Sequence, residues 1–431
     1  MPKRKKPTKR NVYGARGARA VRYYVALILA LLVLFFSNDF GTTDVQKTAI
    51  VMAVGIDRQE EEFIVTSQIA IPQSSKQGGA SQAVQLVSKG KTVAEAFAQI
   101  NAKTGWYPKL VFCRLILLGN SATEKNVFDA LNYFKLNNYV PDNCLLAACD
   151  GAAKDVLNTG ALVDSAGSLA IEKVLSSHAQ RVGSALPSTL REFAIGYFGE
   201  SQSSYLPVIH KEPQQEESGS NNPEQNAAPN QNNGQGGQNG QSGKSSGGSE
   251  QQSGGGGQSQ SEKPLFSAGK TALFVKGKQQ DILTEEETFA VCAVKEELRL
   301  ASYRVEADGA ACTLTIKNNR PSLDYTFHND GTAALRIHIT LTAGMLDYSQ
   351  PLELEKMKDA GEVPDGVFAA AEKRLQGQIV TAFEKCRACG CDIFELTGEL
   401  HKNKPEYFPE QKSKVLENTL LDVSVTFRNV R

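Results

Sequence analysis

Residues 110–118, LVFCRLILL, form a nearly continuous apolar run. A strand with one wet face alternates, whereas one apolar along its length is buried on both faces, so this run predicts a strand inside a layered sheet. Its flanks agree. Upstream, Thr92 with Glu95 makes a capping box that opens a helix carrying Val93, Ala96, Phe97 and Ile100 on one face. Downstream, Ser121 with Glu124 is placed to cap a helix carrying Val127, Leu131 and Phe134. Before these stand two β-rich runs, Thr48–Ile56 and Phe63–Ile71, around the charged turn Asp57-Arg58-Gln59-Glu60-Glu61, and a third at Ala83–Val87. After them Cys144–Cys149 reads as another buried strand, with Asp150 placed to cap a helix through Val156 and Leu157. The order β-β-β-α-β-α-β-α defines an α/β domain with at least one crossover connection.

Several of these stretches share a family pattern. Ala49–Pro72 (AIVMAVGIDRQEEEFIVTSQIAIP), Gly90–Ala96 and Arg114–Gly119, continuing in order through Ala152–Leu157, resemble the N-terminal domain of the C subunits of spore germinant receptors, the Ger(x)C family. The motifs are short, and their order and spacing carry the resemblance.

Ser165–Phe198 continues with helical spacing, and Tyr205-Leu206-Pro207-Val208-Ile209 reads as a short strand whose proline suits a sheet edge. The composition then shifts. Residues 213–262 are mainly Gln, Gly, Ser, Asn and Glu without a large apolar side chain, so burial cannot offset the ordering entropy and the tract should be disordered. Composition alone makes it an interdomain linker. The resemblance implies instead a loop inserted within one middle domain, between YLPVI and Ala268–Phe274, and that reading is adopted.

GKTALFVKGKQQDILTEEET (269–288) looks like the family's signature for its second half, with a tight turn at Gly277 and a third capping box at Thr284 and Glu287. A meander follows: Ser302–Val305, Cys312–Ile316, Leu323–Phe327, the turn Asn329-Asp330-Gly331, and Leu335–Leu341 with Leu335, Ile337, Ile339 and Leu341 facing one way. Pro364-Asp365-Gly366 starts a long helix with Phe368, Ala371, Leu375, Ile379, Ala382, Phe383 and Cys386 in one stripe, ended by Gly390. The chain closes on a strand alternating at Leu421, Val423, Val425 and Phe427. One amphipathic helix on an antiparallel sheet is an α+β unit, and it resembles the family's C-terminal domain in its Asp392-Ile393-Phe394 phrase and final strand. Three departures stand out. Ser37-Asn38-Asp39 occupies the place of the family's lipid-modified cysteine, Glu395-Leu396-Thr397-Gly398 interrupts a Gly-Phe-Gly ending, and Tyr407 and Phe408 replace tryptophans.

The N-terminus adds an export signal. Tyr23–Phe36, YYVALILALLVLFF, is apolar throughout, and the residues before it carry nine lysines and arginines without one carboxylate, which holds the N-terminus in the cytoplasm. Fourteen apolar residues suit a signal-peptide core better than a span of about 20. No small-x-small cleavage site follows, however, and the first cysteine is Cys113, so a retained anchor is expected, stretched by Arg22 snorkelling and by Tyr23 and Tyr24 at the headgroups. The whole then reads as a basic cytoplasmic tail (1–22), a transmembrane anchor (23–40), an N-terminal α/β domain (41–190), a middle domain (191–305) with the disordered insertion 213–262, and a C-terminal α+β domain (306–431). That is three mixed-sheet domains, α+β or mixed α/β, after one transmembrane helix.

Forty-seven basic and forty-seven acidic residues balance over the 431, and outside the tail the balance is acidic, which argues against a nucleic-acid partner for the exported part. Chemistry is sparse. Cys386, Cys389, Cys391 and His401 could form a Cys3His zinc site. The favoured alternative is a core role, since Cys386 continues the helix stripe, and a redox role is disfavoured because the negative end of a helix raises a thiol pKa. Cys113, Cys144 and Cys149 sit in strand-like surroundings and read as core rather than disulfide, although an exported location would permit bridges. His178, His210, His328, His338 and His401 lie in no catalytic phrase, and no glycine-rich stretch opens a phosphate-binding helix. No catalytic residue, cofactor or metal site is therefore expected. The resemblance implies a non-catalytic, membrane-anchored receptor subunit working with integral-membrane A- and B-type subunits and the lipid bilayer, single-pass, in the spore inner membrane. The alternative is an exported, membrane-tethered small-molecule-binding protein or hydrolase.

Overall fold

A computed structural model describes residues 12–37, 48–70, 83–136, 140–159, 166–212, 265–295, 298–307, 309–349 and 362–430. The chain divides into a unit up to Thr48 and a second from Ala49 onward.

The first unit contains helix α1 (Val12–Ser37). Its described side chains, 21–33, are all exposed, and apart from Arg22 they are apolar or tyrosine. The transmembrane anchor expected over 23–40 is not found: among the described residues no helix is long and apolar enough to cross a membrane. At 1.5 Å per residue those thirteen side chains cover about 20 Å of a hydrocarbon core about 30 Å thick.

The second unit begins with β1 (Thr48–Gln59), β2 (Glu62–Ala70) and β3 (Ala83–Gly90), then α2 (Val93–Thr104), β4 (Tyr107–Lys109) and β5 (Leu115–Leu118). Next come α3 (Asn120–Thr123), α4 (Phe128–Leu136), β6 (Leu145–Cys149), α5 (Ala153–Asn158), α6 (Gly167–Val174), α7 (Ser177–Arg181), β7 (Ser188–Thr189), α8 (Leu190–Phe198) and β8 (Ser203–Glu212). After the polar tract follow β9 (Leu265–Val275), β10 (Lys278–Leu283) and α9 (Glu285–Lys295). All ten strands belong to one sheet in the order β10-β9-β8-β6-β5-β1-β2-β3, with β4 on β1 and β7 on β6. Its centre, β1, β5, β6 and β8, is parallel, and its flanks are antiparallel.

The apolar run at 110–118 is central, as its composition requires. Ile116 and Leu118 pack with Phe97, Leu131, Phe134 and Phe193 on one face. Leu115 and Leu117 pack with Val156, Leu157 and Ile171 on the other. Only its second half is strand: the Cys113 N–H closes a turn on the Leu110 carbonyl (2.9 Å), which buries both side chains ahead of β5.

The second sheet is built from β11 (Ala301–Ala307), β12 (Ala310–Phe327), β13 (Ala333–Tyr348) and the final β14 (Thr419–Asn429), in that order. Helices α10 (Asp365–Cys389), α11 (Leu396–Asn403) and α12 (Phe408–Gln411) lie between its last two strands. The buried stripe of α10 includes every residue the spacing predicts, and Gly390 ends it in the left-handed region (φ 71°).

Four expectations need correction. The described residues form two mixed sheets rather than three: β8–β10 continue the sheet of β1–β6, and β11 pairs with β12. The second sheet is not wholly antiparallel, because β14 runs parallel to β13 (Ile337 opposite Val423), and a parallel neighbour is what the long connection through α10 makes possible. The strands at 312–316 and 323–327 merge into β12. Pro321 is tolerated there because β11 pairs only as far as Ile316, leaving no strand on the side that would need its N–H. Finally, Pro207 does not mark an edge: β8 lies between β6 and β9, but β6 pairing begins at Val208, one residue past the proline.

β8 and β9 are antiparallel neighbours with Glu212 opposite Leu265. The polar tract expected to be disordered, 213–262, lies outside the described residues, and it leaves and rejoins the fold on paired strands.

Candidate functional site

The parallel strands β1, β5, β6 and β8 all end on one side of the sheet, the side where open α/β sheets place their ligands. At the end of β1 the buried Asp57 carboxylate accepts the N–H groups of Ala153 (2.8 Å) and Lys154 (2.9 Å) and so caps α5 from 96 residues away. Asp150, expected to be that cap, instead receives His210 Nδ1 (2.9 Å), while its own N–H donates to the Ile209 carbonyl. Burial pushes the Asp57 carboxyl above its ordinary value, and this outweighs the lowering by the two backbone N–H bonds. Beside it, the Asn120 amide donates to the Cys149 carbonyl (2.6 Å) and accepts from the Gly151 N–H (3.2 Å). These bonds tie the ends of three strands to the start of α5.

Ser121 is also diverted from its expected role. Its Oγ accepts the Arg58 N–H (2.9 Å), α3 spans only Asn120–Thr123, and Asn126 Oδ1 caps α4 through the Phe128 N–H (3.0 Å). Both bonds of the capping box expected at Thr284–Glu287 are present, whereas at Thr92–Glu95 the Thr92 Oγ1 accepts the Glu95 N–H but the Glu95 carboxylate accepts the Lys91 N–H (2.8 Å) instead of that of Thr92.

Over the strand ends lies a half-open cleft of ≈ 440 Å³, lined by Asn120, Thr123, Glu124, Asp150, Lys270 and Thr284 among others. Two carboxylates and one ammonium suit a small polar or zwitterionic molecule held by charge and hydrogen bonds. A charge relay is not assembled: the His210 imidazole bonds Asp150, and although Ser267 lies opposite His210 on β9, no hydrogen bond joins them among the described residues.

The cysteines separate by environment. Cys386 is buried and pushed far up by desolvation. His401 points away from the group, to Glu200 (3.2 Å) and onto the Phe408 ring (4.2 Å). Among the described residues no cluster of three His, Cys, Asp or Glu side chains could hold a metal ion. One expectation is overturned here. Cys389, at the C-terminus of α10, is lowered to about 7 rather than raised, because its thiolate accepts a hydrogen bond from the Cys391 thiol. Cys391 is correspondingly raised and lies against the Ser204 and Phe274 carbonyls (3.6 and 3.4 Å). Cys113 and Cys144 face each other in the core with sulfurs 4.0 Å apart, and all five histidines are exposed.

Sequence reading missed Asp57, placing it in a charged turn. Its signal is an acidic residue directly after an apolar β-run, where the next side chain inward must be buried. Asp392 repeats the device: its buried carboxylate accepts the Leu396 (3.0 Å) and Thr397 (2.7 Å) N–H groups at the start of α11, and its own N–H donates to Ser203 Oγ (2.9 Å) on β8.

The sequence defines a spore germination protein. Residues 41–211 match the model of the spore germination protein N-terminal domain, and residues 269–430 match that of the spore germination B3/GerAC-like C-terminal domain. The chain belongs to the Ger(x)C family. The two matches meet on the adjacent strands β8 and β9, on either side of the polar tract. Among solved structures the chain is similar to the GerBC protein, with 14% identity over 88% of this chain and 97% of that one and a TM-score of 0.48. No curated protein matches it.

Proposed function

We propose that this chain is a non-catalytic, membrane-anchored subunit of a nutrient germinant receptor. Its N-terminus lies in the cytoplasm, its two-sheet body lies outside the spore inner membrane, and its partners are integral-membrane A- and B-type subunits. The observation that carries this reading is the joint match of both halves of the family, in order, behind a helix whose described side chains are exposed and apolar. Continuing that helix through Leu34, Phe35 and Phe36 extends the apolar length, and Arg22 with Tyr23 and Tyr24 supplies the interfacial end. The finer division into domains 41–190, 191–305 and 306–431 belongs to the same reading as a division of the sequence, its second and third parts meeting within β11. Gentle detergent extraction of spore membranes followed by affinity capture tests it. A polytopic partner should co-purify, and a strain lacking the gene should lose germination on at least one nutrient. Recovery of the chain alone, turning over a small molecule, would overturn the proposal.

A second reading, a tethered small-molecule-binding protein, is favoured by the charged cleft over the parallel strand ends. Calorimetric titration of the isolated chain with amino acids and sugars separates the two. Saturable binding abolished by Lys270→Ala supports the second, and a flat titration removes it.

A further inference from the structure

The end of the sheet opposite the Asp57 cluster carries an unexplained surface. Between α2 and β5, Trp106, Tyr107, Val111 and Phe112 are 43%, 48%, 46% and 56% exposed. Solvated aromatics so close together need a reason. The loop itself is well fixed. Gly105 closes α2 in the left-handed region, Thr104 Oγ1 accepts the Trp106 N–H (3.1 Å), and Asn101 Nδ2 donates to the Trp106 carbonyl (3.3 Å). Leu110 and Cys113 are buried, and the Arg114 N–H donates to the Met52 carbonyl (2.9 Å). Two side chains thus pin the loop to the core while four large ones face outward.

Its position points to an occupant. The loop lies where β1 and β5 begin, with β4 paired to β1 and Leu115 opposite Ala53. Phe112 borders an apolar cleft of ≈ 300 Å³ with Ile50, Met52, Ala70 and Leu169. The chain enters β1 at Thr48, ten residues (38–47) after α1 ends at Ser37. The residue types are those of a bilayer interface: Trp and Tyr at headgroup depth, apolar side chains beyond them, and basic residues alongside. Lys103 and Arg114 bracket the loop, the latter also paired with Glu172 (3.1 Å). We infer that residues 106–112 insert into the headgroup layer of the outer leaflet, a second membrane contact that fixes the body's orientation. The inference rests on the anchored reading above.

Trp106 is the chain's only tryptophan, which makes the test direct. The full-length chain is reconstituted in phosphatidylcholine–phosphatidylglycerol vesicles and checked by flotation. Trp106 emission should shift to the blue, lose at least half its intensity to lipids brominated near the headgroup, and resist iodide. The double variant Val111→Ser, Phe112→Ser, which keeps the fluorophore, should lose most of that bromolipid quenching while still floating. If the chain floats but Trp106 stays open to iodide and blind to bromolipid, the loop proposal fails and the anchor stands. If it does not float, the anchored reading fails. The loop is then judged on the same chain added to preformed vesicles, where absent quenching overturns it as well. Shielding that arises only after a polytopic protein is added also overturns it, in favour of a protein partner.

Discussion

Gly119 and Asp57 meet at the ends of neighbouring parallel strands so closely that a Cβ on Gly119 would lie 1.9 Å from Asp57 Oδ1. The glycine is required for space rather than for backbone freedom, because the carboxylate that caps α5 fills the volume a side chain would use. Gly119→Ala must therefore displace Asp57 from the Ala153 and Lys154 N–H groups or shift β5. The expected loss is about 3 kcal/mol, from overpacking plus broken bonds to a charged acceptor. Gly377→Ala is the control. Nothing lies within 4 Å of its Cβ in the middle of α10, so that change should stabilise by about 0.5–1 kcal/mol. Urea denaturation of the two variants checks the contrast, and equal midpoints would refute it.

The raised Asp57 carboxyl has a pH signature. Its folded value lies above the ordinary 3.8, so the native state holds this proton more tightly than the unfolded chain does. Its stabilising contribution is complete below 3.8 and is lost as pH rises through the folded value. Asp57→Asn removes the titration and also exchanges one acceptor for a donor facing a backbone N–H. The variant should be less stable throughout, with a deficit widest at acid pH and narrowing toward neutrality. Denaturation midpoints at several pH values measure it; a deficit that grew with pH would reverse the sign and reject the account.

Much of this fold is legible in local pattern, because burial repeats along each element. The α10 stripe, the β13 alternation and the doubly buried half of 110–118 each follow from a period of 3.6 or 2 or from its absence. What is not legible is set by partners distant in sequence. Asp57 caps a helix 96 residues away, and Ser121 is taken from its own helix by Arg58. Similarly, β14 becomes parallel to β13 only because α10 carries the chain back across the sheet. The site side of the molecule was the less readable half for the same reason: the cleft gathers Glu124, Asp150 and Lys270 from segments that show no shared motif.

Among the thiols, Cys389 should stand apart. It is the one cysteine not fully buried, and its hydrogen bond from Cys391 lowers it to about 7, whereas burial raises Cys149 and Cys386. Under native conditions iodoacetamide should modify Cys389 well before any other cysteine, with a rate that titrates near neutrality, and Cys391→Ala should slow the reaction at pH 7 by raising the thiol. Peptide mapping after timed alkylation reads both. Uniform labelling, or first labelling at Cys113 or Cys144, would contradict the assigned environments.

The polar tract offers a test of how the sheet is closed. Glu212 and Leu265 are register partners, so the tract 213–264 joins two paired antiparallel strands, and the cost of closing a connection of that kind grows only with the logarithm of its length. Replacing the tract by a four-residue turn shortens the loop about thirteenfold, which should stabilise the fold by about 2 kcal/mol. The shortened chain should unfold in one transition at a higher midpoint. Circular dichroism and intrinsic fluorescence followed together in urea provide the measurement. A linker between independent domains behaves otherwise: forcing its ends together would strain or separate them, and the two probes would no longer coincide.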